Sequence, residues 1–183
     1  MVTAPPHCRR IQAGILSWGQ DMDNQHNPFQ CNLGYQVSLS GIGQWEKKGN
    51  YIGKQALEKI KAELAEGQKP YKLQLVGLEF GGKPILDYAT DFYPISPASG
   101  GDALGFVTSP WYHPTRQTNI AMAYVPFEGD LNKNKFPIGP LGKKFQVHLP
   151  EIYQDGQSSE EAVVVKMPFT DSKNANTREV IDT

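Results

Sequence analysis

The first seventy residues combine helical and alternating hydrophobic patterns. Apolar residues from Arg9 to Trp18 recur at helical spacing, which predicts a helix that ends at Gly19. Residues 33–39 alternate between apolar and polar, which predicts a half-buried strand. The clearest helix runs from about residue 53 to 66 and stops at Gly67, with an apolar stripe formed by Ala56, Leu57, Ile60 and Leu64.

After Pro70 the pattern changes to short strands separated by glycine and proline. The predicted strands cover residues 72–80, 104–108, 119–125, 143–149 and 162–167. Strands of this length and spacing are typical of a small barrel or a sandwich, and the pattern alone leaves both open. Residues 171–183 are polar and predict a loose tail.

Length and charge narrow the class of protein. A chain of 183 residues predicts one domain, or one and a fraction. Its net charge of -1 shows no basic excess, which argues against a protein that coats nucleic acid. No apolar run is long enough to span a bilayer, and the first eight residues do not form a signal peptide. The two cysteines, Cys8 and Cys31, are expected to be free thiols, which favours a cytoplasmic address.

Few residue clusters suggest chemistry. The four histidines lie neither at i,i+4 on a helix nor beside a cysteine pair, so we expect no metal site. The segment Trp111-Tyr112-His113-Pro114 predicts an aromatic loop. That loop is interpreted either as a turn packed on the barrel mouth or as one wall of a ligand cleft.

Arg10 and Trp18 are the candidate binding residues. A fixed guanidinium binds carboxylates through two hydrogen bonds, and an indole ring stacks on flat heterocycles. The alternative is structural: Arg10 pairs with Asp21 or Asp23 and caps a helix. Residue chemistry alone leaves both interpretations open.

Six segments, in the same order along the chain, resemble the glycine-cleavage T-protein family. They are R-I-Q-A-G-I-L-S-W-G-Q-D (residues 10–21), N-P-F-Q-C-N-L (27–33), Y-I-G-K-Q-A-L (51–57), G-F-V-T-S (105–109), N-I-A-M-A-Y-V (119–125) and K-M-P-F (166–169). Each is weak alone, but together they cover nearly the whole chain.

The resemblance implies an α+β fold. Residues 1–70 would be the terminal part of an α/β folate-binding region, and residues 71–170 a small antiparallel β-barrel, followed by the tail at 171–183. The resemblance thereby favours the barrel over the sandwich.

The resemblance also implies tetrahydrofolate-dependent one-carbon transfer from a small donor, either an amine or a sulfonium. Of the family's folate contacts, Arg10 matches, and Trp18 stands where a tyrosine is usual. The family's catalytic carboxylate belongs to an N-terminal half that has no counterpart here. No catalytic residue is therefore assigned, the isolated chain is expected to be inactive, and the missing half is a candidate partner.

Two alternatives stay beside the aminomethyltransferase interpretation. The stretch from Met22 to Cys31 most resembles the dimethylsulfoniopropionate demethylase branch. A non-catalytic folate-binding or scaffolding module is the second alternative, because the chain lacks the family's catalytic acid.

If Arg10 contacts folate, Arg10→Ala should weaken folate binding by about 1.5 to 3 kcal/mol, the value of a hydrogen bond to a charged group. The sequence further predicts nearly unchanged thermal stability. Calorimetric titration and a melting curve measure the two quantities.

Overall fold

Six strands form a closed antiparallel barrel in the computed structural model, which describes residues 6–37, 39, 51–131 and 137–169. The strands, in the order β1-β4-β3-β2-β5-β6 around the ring, are β1 (Leu73–Phe80), β2 (Tyr93–Pro97), β3 (Gly105–His113), β4 (Thr118–Pro126), β5 (Lys144–His148) and β6 (Ser159–Val165). Strand β6 pairs with β1 and closes the ring. The small antiparallel barrel is thus confirmed, and the sandwich that the pattern left open is excluded.

Apolar side chains at alternating positions along the strands fill the barrel interior. One face of each strand supplies the interior, which includes Val76, Leu78, Phe80, Ile95, Val107, Ala121, Ala123, Val125, Phe145, Val147, Ala162 and Val164. The opposite face of β1 and β4 is also buried, because Leu75, Met122 and Tyr124 pack against the N-terminal helix and Phe169. These two strands therefore read as nearly continuous apolar runs, as strands covered on both faces do.

Gly77 marks a close approach of the chain to β1. A Cβ at this position would lie 2.7 Å from Met167 Cγ and 3.1 Å from Phe169 Cζ. The residues after β6 therefore cross directly over β1 and need a glycine beneath them.

The N-terminal helix is shorter than predicted. Helix α1 covers Pro6–Gln12, and the glycine that terminates it is Gly14 rather than Gly19. Gly14 has φ 69° and its N–H donates to Ile11 O at 3.0 Å, while Ile15 N–H donates to Arg10 O at 2.8 Å. This is the Schellman pattern of helix termination. Gly19 also has positive φ, but it lies in a later turn, so the predicted helix is confirmed over residues 9–12 and wrong over residues 13–18.

The strand predicted at residues 33–39 was also wrong. A short 3-10 helix, Gly34–Gln36, occupies this stretch, and Asn32 before it has φ 59°. Alternation marks a strand only where another strand pairs with it, and all six strands of the barrel ring lie beyond residue 72. Ser38 and residues 171–183, the predicted tail, lie outside the described residues.

The second predicted helix is confirmed as α2 (Lys54–Ala65), which begins after Gly53. Its buried side packs on Phe29 and Phe127 through Leu57, Ile60 and Leu64. Ala56 is exposed, so this one member of the predicted stripe does not face the core.

Two errors concern the barrel itself. Strand β2 was missed because prolines begin and end its apolar segment, at positions 94 and 97. The predicted aromatic loop at residues 111–114 is mostly the end of β3, with Trp111 and His113 buried. Neither the turn nor the cleft wall describes it.

Gly77→Ala should lower the free energy of unfolding by about 1 to 3 kcal/mol, because a methyl group here overpacks a filled space. Urea denaturation followed by circular dichroism measures the change. Adding Met167→Ala to the variant should recover part of the loss. An unchanged midpoint for the single variant would contradict the close approach.

Candidate functional site

Arg10 projects from α1 towards strand β3 and is held on three edges of its guanidinium. Nη1 donates to Asp21 Oδ2 at 2.6 Å and to Ile15 O at 3.3 Å, and Nη2 donates to Ser109 Oγ at 2.7 Å. Nε donates to His7 Nδ1 at 3.3 Å. The side chain is only 15% exposed. Of the two acidic partners that the sequence allowed, the structure selects Asp21.

Asp21 is fully buried and accepts four hydrogen bonds. Besides Arg10, its Oδ2 accepts Ser17 N–H at 2.8 Å, and its Oδ1 accepts the hydroxyls of Thr108 and Ser109, each at 2.6 Å. An ionised carboxylate accepts only, so every one of these contacts is favourable. A buried charge is tolerated when it is paired and hydrogen-bonded in this way.

A β-bulge brings the two hydroxyls together. Val107 pairs with Ala123 and Ser109 pairs with Met122, which leaves Thr108 as the extra residue on β3. Neighbouring side chains on a regular strand point to opposite faces, whereas a bulge re-aims them. Both side chains therefore reach one carboxylate. Asp21 was named from the sequence as a possible partner of Arg10, whereas Thr108 and Ser109 were missed, although the two adjacent hydroxyl residues of the family-like G-x-V-T-S segment were a usable signal.

Tyr124 continues the buried polar group on the other side of Asp21. Its hydroxyl donates to Asp21 O at 2.7 Å and lies 3.4 Å from Cys31 Sγ. Burial raises the pKa of the Tyr124 phenol, and burial also raises the pKa of the Cys31 thiol. Both groups are therefore neutral near pH 7, and Cys31 does not have the character of a nucleophilic cysteine.

Trp18, the second predicted binding residue, lies on the surface with 68% of its side chain exposed. Within the described part of the chain, no hydrogen bond or ring contact joins it to Arg10. The indole is accessible to a ligand, whereas the arginine is nearly enclosed, so the structure does not bring the two into one contact.

One exposed aromatic ring contacts His7, the residue that accepts the Arg10 Nε hydrogen, and a second exposed ring stacks on strand β3. The Tyr88 ring is 4.4 Å from His7, and its hydroxyl donates to Gln20. Phe92 stacks on Phe106 at 5.2 Å. Tyr88 and Phe92 are 58% and 50% exposed. We call the residues Tyr88, Phe92 and Phe106 the aromatic face.

The number of Arg10 N–H groups without a partner limits the hydrogen bonds that this residue can donate to a ligand. A guanidinium carries five N–H bonds, and four are directed at His7, Ile15, Asp21 and Ser109. Within the described residues, one Nη2 hydrogen remains. The expected two-point grip on a ligand carboxylate is therefore not available, because the paired edge of the guanidinium is occupied by Asp21 and Ser109.

A cleft of about 590 Å³ opens elsewhere, between the N-terminal segment and the barrel. Gly14, Cys31, Gly77, Leu141 and Met167 are among its lining residues, and Arg10 and Trp18 are not. Its walls are mostly apolar and carry no arrangement of titratable groups, so the polar cluster around Asp21 is the better-founded site.

Two features are absent from the residues that the structure describes. No group of three or more histidine, cysteine, aspartate or glutamate side chains there is arranged to hold a metal ion. None of the helices in that part of the chain has the length and apolar character needed to cross a membrane.

Comparison with known proteins adds the family. Residues 74–171 match the family described as Glycine cleavage T-protein C-terminal barrel domain. An aminomethyltransferase from Synechocystis sp. is 38% identical over 119 residues, which are 65% of this chain and 27% of that protein. One from Thermosynechococcus vestitus is 38% identical over 161 residues, 87% of this chain and 35% of that protein.

A solved structure agrees with the fold. The crystal structure of glycine cleavage system aminomethyltransferase T from Bartonella henselae superposes with a TM-score of 0.59 at 21% identity. The match covers 87% of this chain and 36% of that one. At this identity the likeness concerns the fold alone. The chain therefore spans about a third or less of the length of the relatives that it matches.

Arg10→Ala should lower the free energy of unfolding by about 3 to 5 kcal/mol, because it leaves the Asp21 charge buried without its partner. This expectation replaces the nearly unchanged stability predicted from sequence. Urea denaturation measures it, with Arg9→Ala as the control, since Arg9 is exposed on the same helix. Equal losses in the two variants would contradict the ion pair.

Stability should also fall in acid through His7. Burial, together with the Arg10 charge, lowers the pKa of His7 from 6.5 to about 4 against the opposing effect of the Asp21 charge. The unfolded chain then binds the proton first, so the free energy of unfolding decreases as pH falls from about 6.5 to about 4, by roughly 1 to 3 kcal/mol. His7→Asn should flatten this slope in denaturation series across that range, whereas exposed His148→Asn should not.

Proposed function

This chain belongs to the glycine cleavage T-protein family, and from that premise we propose that it is the C-terminal part of a tetrahydrofolate-dependent aminomethyltransferase. Residues 1–70 are assigned to the end of the folate-binding domain, and residues 71–170 to the barrel domain. The observation that carries the proposal is the family match over the barrel, together with curated relatives that are named aminomethyltransferases.

Arg10 and Trp18 are proposed to contact the folate. The Nη2 hydrogen of Arg10 that has no partner among the described residues suits a single acceptor oxygen or nitrogen of a ligand. The exposed rings of Trp18 and the aromatic face suit a flat heterocycle. This arrangement supports recognition of one polar edge of an aromatic ligand rather than of a free carboxylate.

The one-carbon transfer of the family requires the protein to bind and orient the folate acceptor. When bound, tetrahydrofolate supplies the nitrogen that accepts the one-carbon unit from an aminomethyl donor. The residues of this chain bind and orient that acceptor, because correct orientation contributes much of the rate in two-substrate transfers. We assign none of its residues a catalytic role: Asp21 and the Tyr124 hydroxyl are engaged in the hydrogen bonds described above, and His7 accepts the Arg10 Nε hydrogen.

The remainder of the active site is proposed to come from polypeptide equivalent to the rest of the longer relatives. The chain covers 27% and 35% of two of them. The aromatic face, with two half-exposed rings, is a surface that such polypeptide and the folate together would cover. The isolated chain is then inactive and binds folate weakly. A cytoplasmic address is proposed from the free thiols Cys8 and Cys31.

A sulfonium demethylase of the dimethylsulfoniopropionate type is the second candidate. The stretch from Met22 to Cys31 favours it, because there the sequence is closest to that branch. Both candidates use the same acceptor, so they differ in the donor alone. A non-catalytic folate-binding module remains the alternative for the isolated chain.

Calorimetric titration of the chain with 5-formyltetrahydrofolate tests the proposal. We expect saturable binding that Trp18→Ala weakens about three- to tenfold, the value of one aromatic contact. Trp18 is exposed, so this variant should fold normally. Ile152→Ala is the control, because Ile152 is equally exposed but precedes β6, far from Arg10 in the chain. Absence of saturable heat at millimolar ligand would refute folate binding by this chain.

A further inference from the structure

Ser109 bridges the two charged groups of the site. Its Oγ accepts a hydrogen bond from Arg10 Nη2 at 2.7 Å and donates one to Asp21 Oδ1 at 2.6 Å. The residue is fully buried and belongs to β3, where it pairs with Met122. Its position is therefore set by the barrel and not by the N-terminal segment.

Thr108, its neighbour on the bulge, makes only one of these two contacts. Its hydroxyl donates to the same Asp21 Oδ1 at 2.6 Å and also lies 3.2 Å from Met122 O. No contact with Arg10 is present among its hydrogen bonds in the described part of the chain. The two residues are equally buried, so they form a natural comparison.

The geometry assigns Ser109 the role of positioning residue for Arg10: it fixes the rotation of the guanidinium so that a single Nη2 hydrogen is presented to the ligand. This assignment rests on the proposed folate binding and names the residue that makes Arg10 competent for it. Asp21 holds Nη1 and His7 holds Nε, but of the three only Ser109 contacts Nη2, the nitrogen that keeps one hydrogen without a partner among the described residues.

The physical reason is the flexibility of arginine. Its long side chain carries about 2 kcal/mol of rotamer entropy, so a free guanidinium loses affinity by being ordered at the moment of binding. Ser109 orders Nη2 before the ligand arrives. Without its hydroxyl, both Nη2 hydrogens turn to water or to other acceptors, and ligand binding must restore the order.

Ser109→Ala and Thr108→Val provide a matched pair. Each variant removes one hydroxyl from Asp21 Oδ1, so Thr108→Val reports the effect of that loss without a change at Arg10. Only Ser109→Ala also releases Arg10. Folate affinity is measured by calorimetry with 5-formyltetrahydrofolate, and the order of Arg10 by NMR of its side-chain N–H groups, through their hydrogen-exchange rates in the ligand-free protein.

Ser109→Ala should weaken 5-formyltetrahydrofolate binding about tenfold and speed exchange of the Arg10 side-chain hydrogens, whereas Thr108→Val should change both much less. Equal effects of the two variants, or unchanged Arg10 exchange in Ser109→Ala, would overturn the assignment. If Ser109→Ala does not fold, Ser109→Cys replaces it, because cysteine has a similar size and a weaker acceptor. Ser109→Cys should give an intermediate loss of folate affinity. The exchange rate of the Arg10 side-chain hydrogens in this variant then decides whether Ser109 positions Arg10.

The result that would refute the proposed function differs from the result that would refute the role of Ser109. A wild-type chain that binds no folate refutes that function, while the Arg10 exchange rates still decide whether Ser109 orders the guanidinium. Faster exchange in Ser109→Ala without folate binding would keep the positioning role and transfer it to another ligand.

Discussion

Asp21 carries a charge with no exposure to solvent, and such a group is stable only when donors surround it. The donors come from three separate places: Arg10 on α1, the Ser17 N–H in the following turn, and two hydroxyls on a bulged strand. Satisfying one carboxylate thus docks the N-terminal segment on the barrel at a single orientation. Loss of any donor leaves part of a buried charge unmatched, which is costlier than the loss of an exposed ion pair.

The barrel supplies the rigid side of that arrangement. Strands β1 and β4 are buried on both faces, so they serve the interior and the docking surface at once. Alanines at 121 and 123 keep the interior side of β4 small, while Met122 and Tyr124 face the helix. The bulge on neighbouring β3 then turns two hydroxyls outward, where a regular strand would offer one.

The same arrangement supports the proposal that this chain supplies one part of a larger site. Four of the five N–H groups of Arg10 donate to partners within the described residues. The remaining hydrogen can donate a single hydrogen bond to a ligand. The exposed Tyr88 ring contacts His7, the neighbour of Arg10, and the relatives of the chain are about two and a half times its length. The cleft between the N-terminal segment and the barrel does not include Arg10 or Trp18 among its lining residues.

Local features of the sequence determined much of the fold. Periodicity and glycine stops located α2 and five of the six strands, because these signals act within a few residues. The same rules failed where tertiary contacts decide: Gly14 ends α1 before its apolar spacing does, and residues 33–39 find no strand to pair with. Arg10 was identified as important from its motif, but its partner was left open. Only the tertiary structure decides that Arg10 pairs with Asp21, because Ser109 bonds both residues. Ser109 is 99 residues from Arg10 in the chain, and the strand register that brings it there is not encoded by any local pattern.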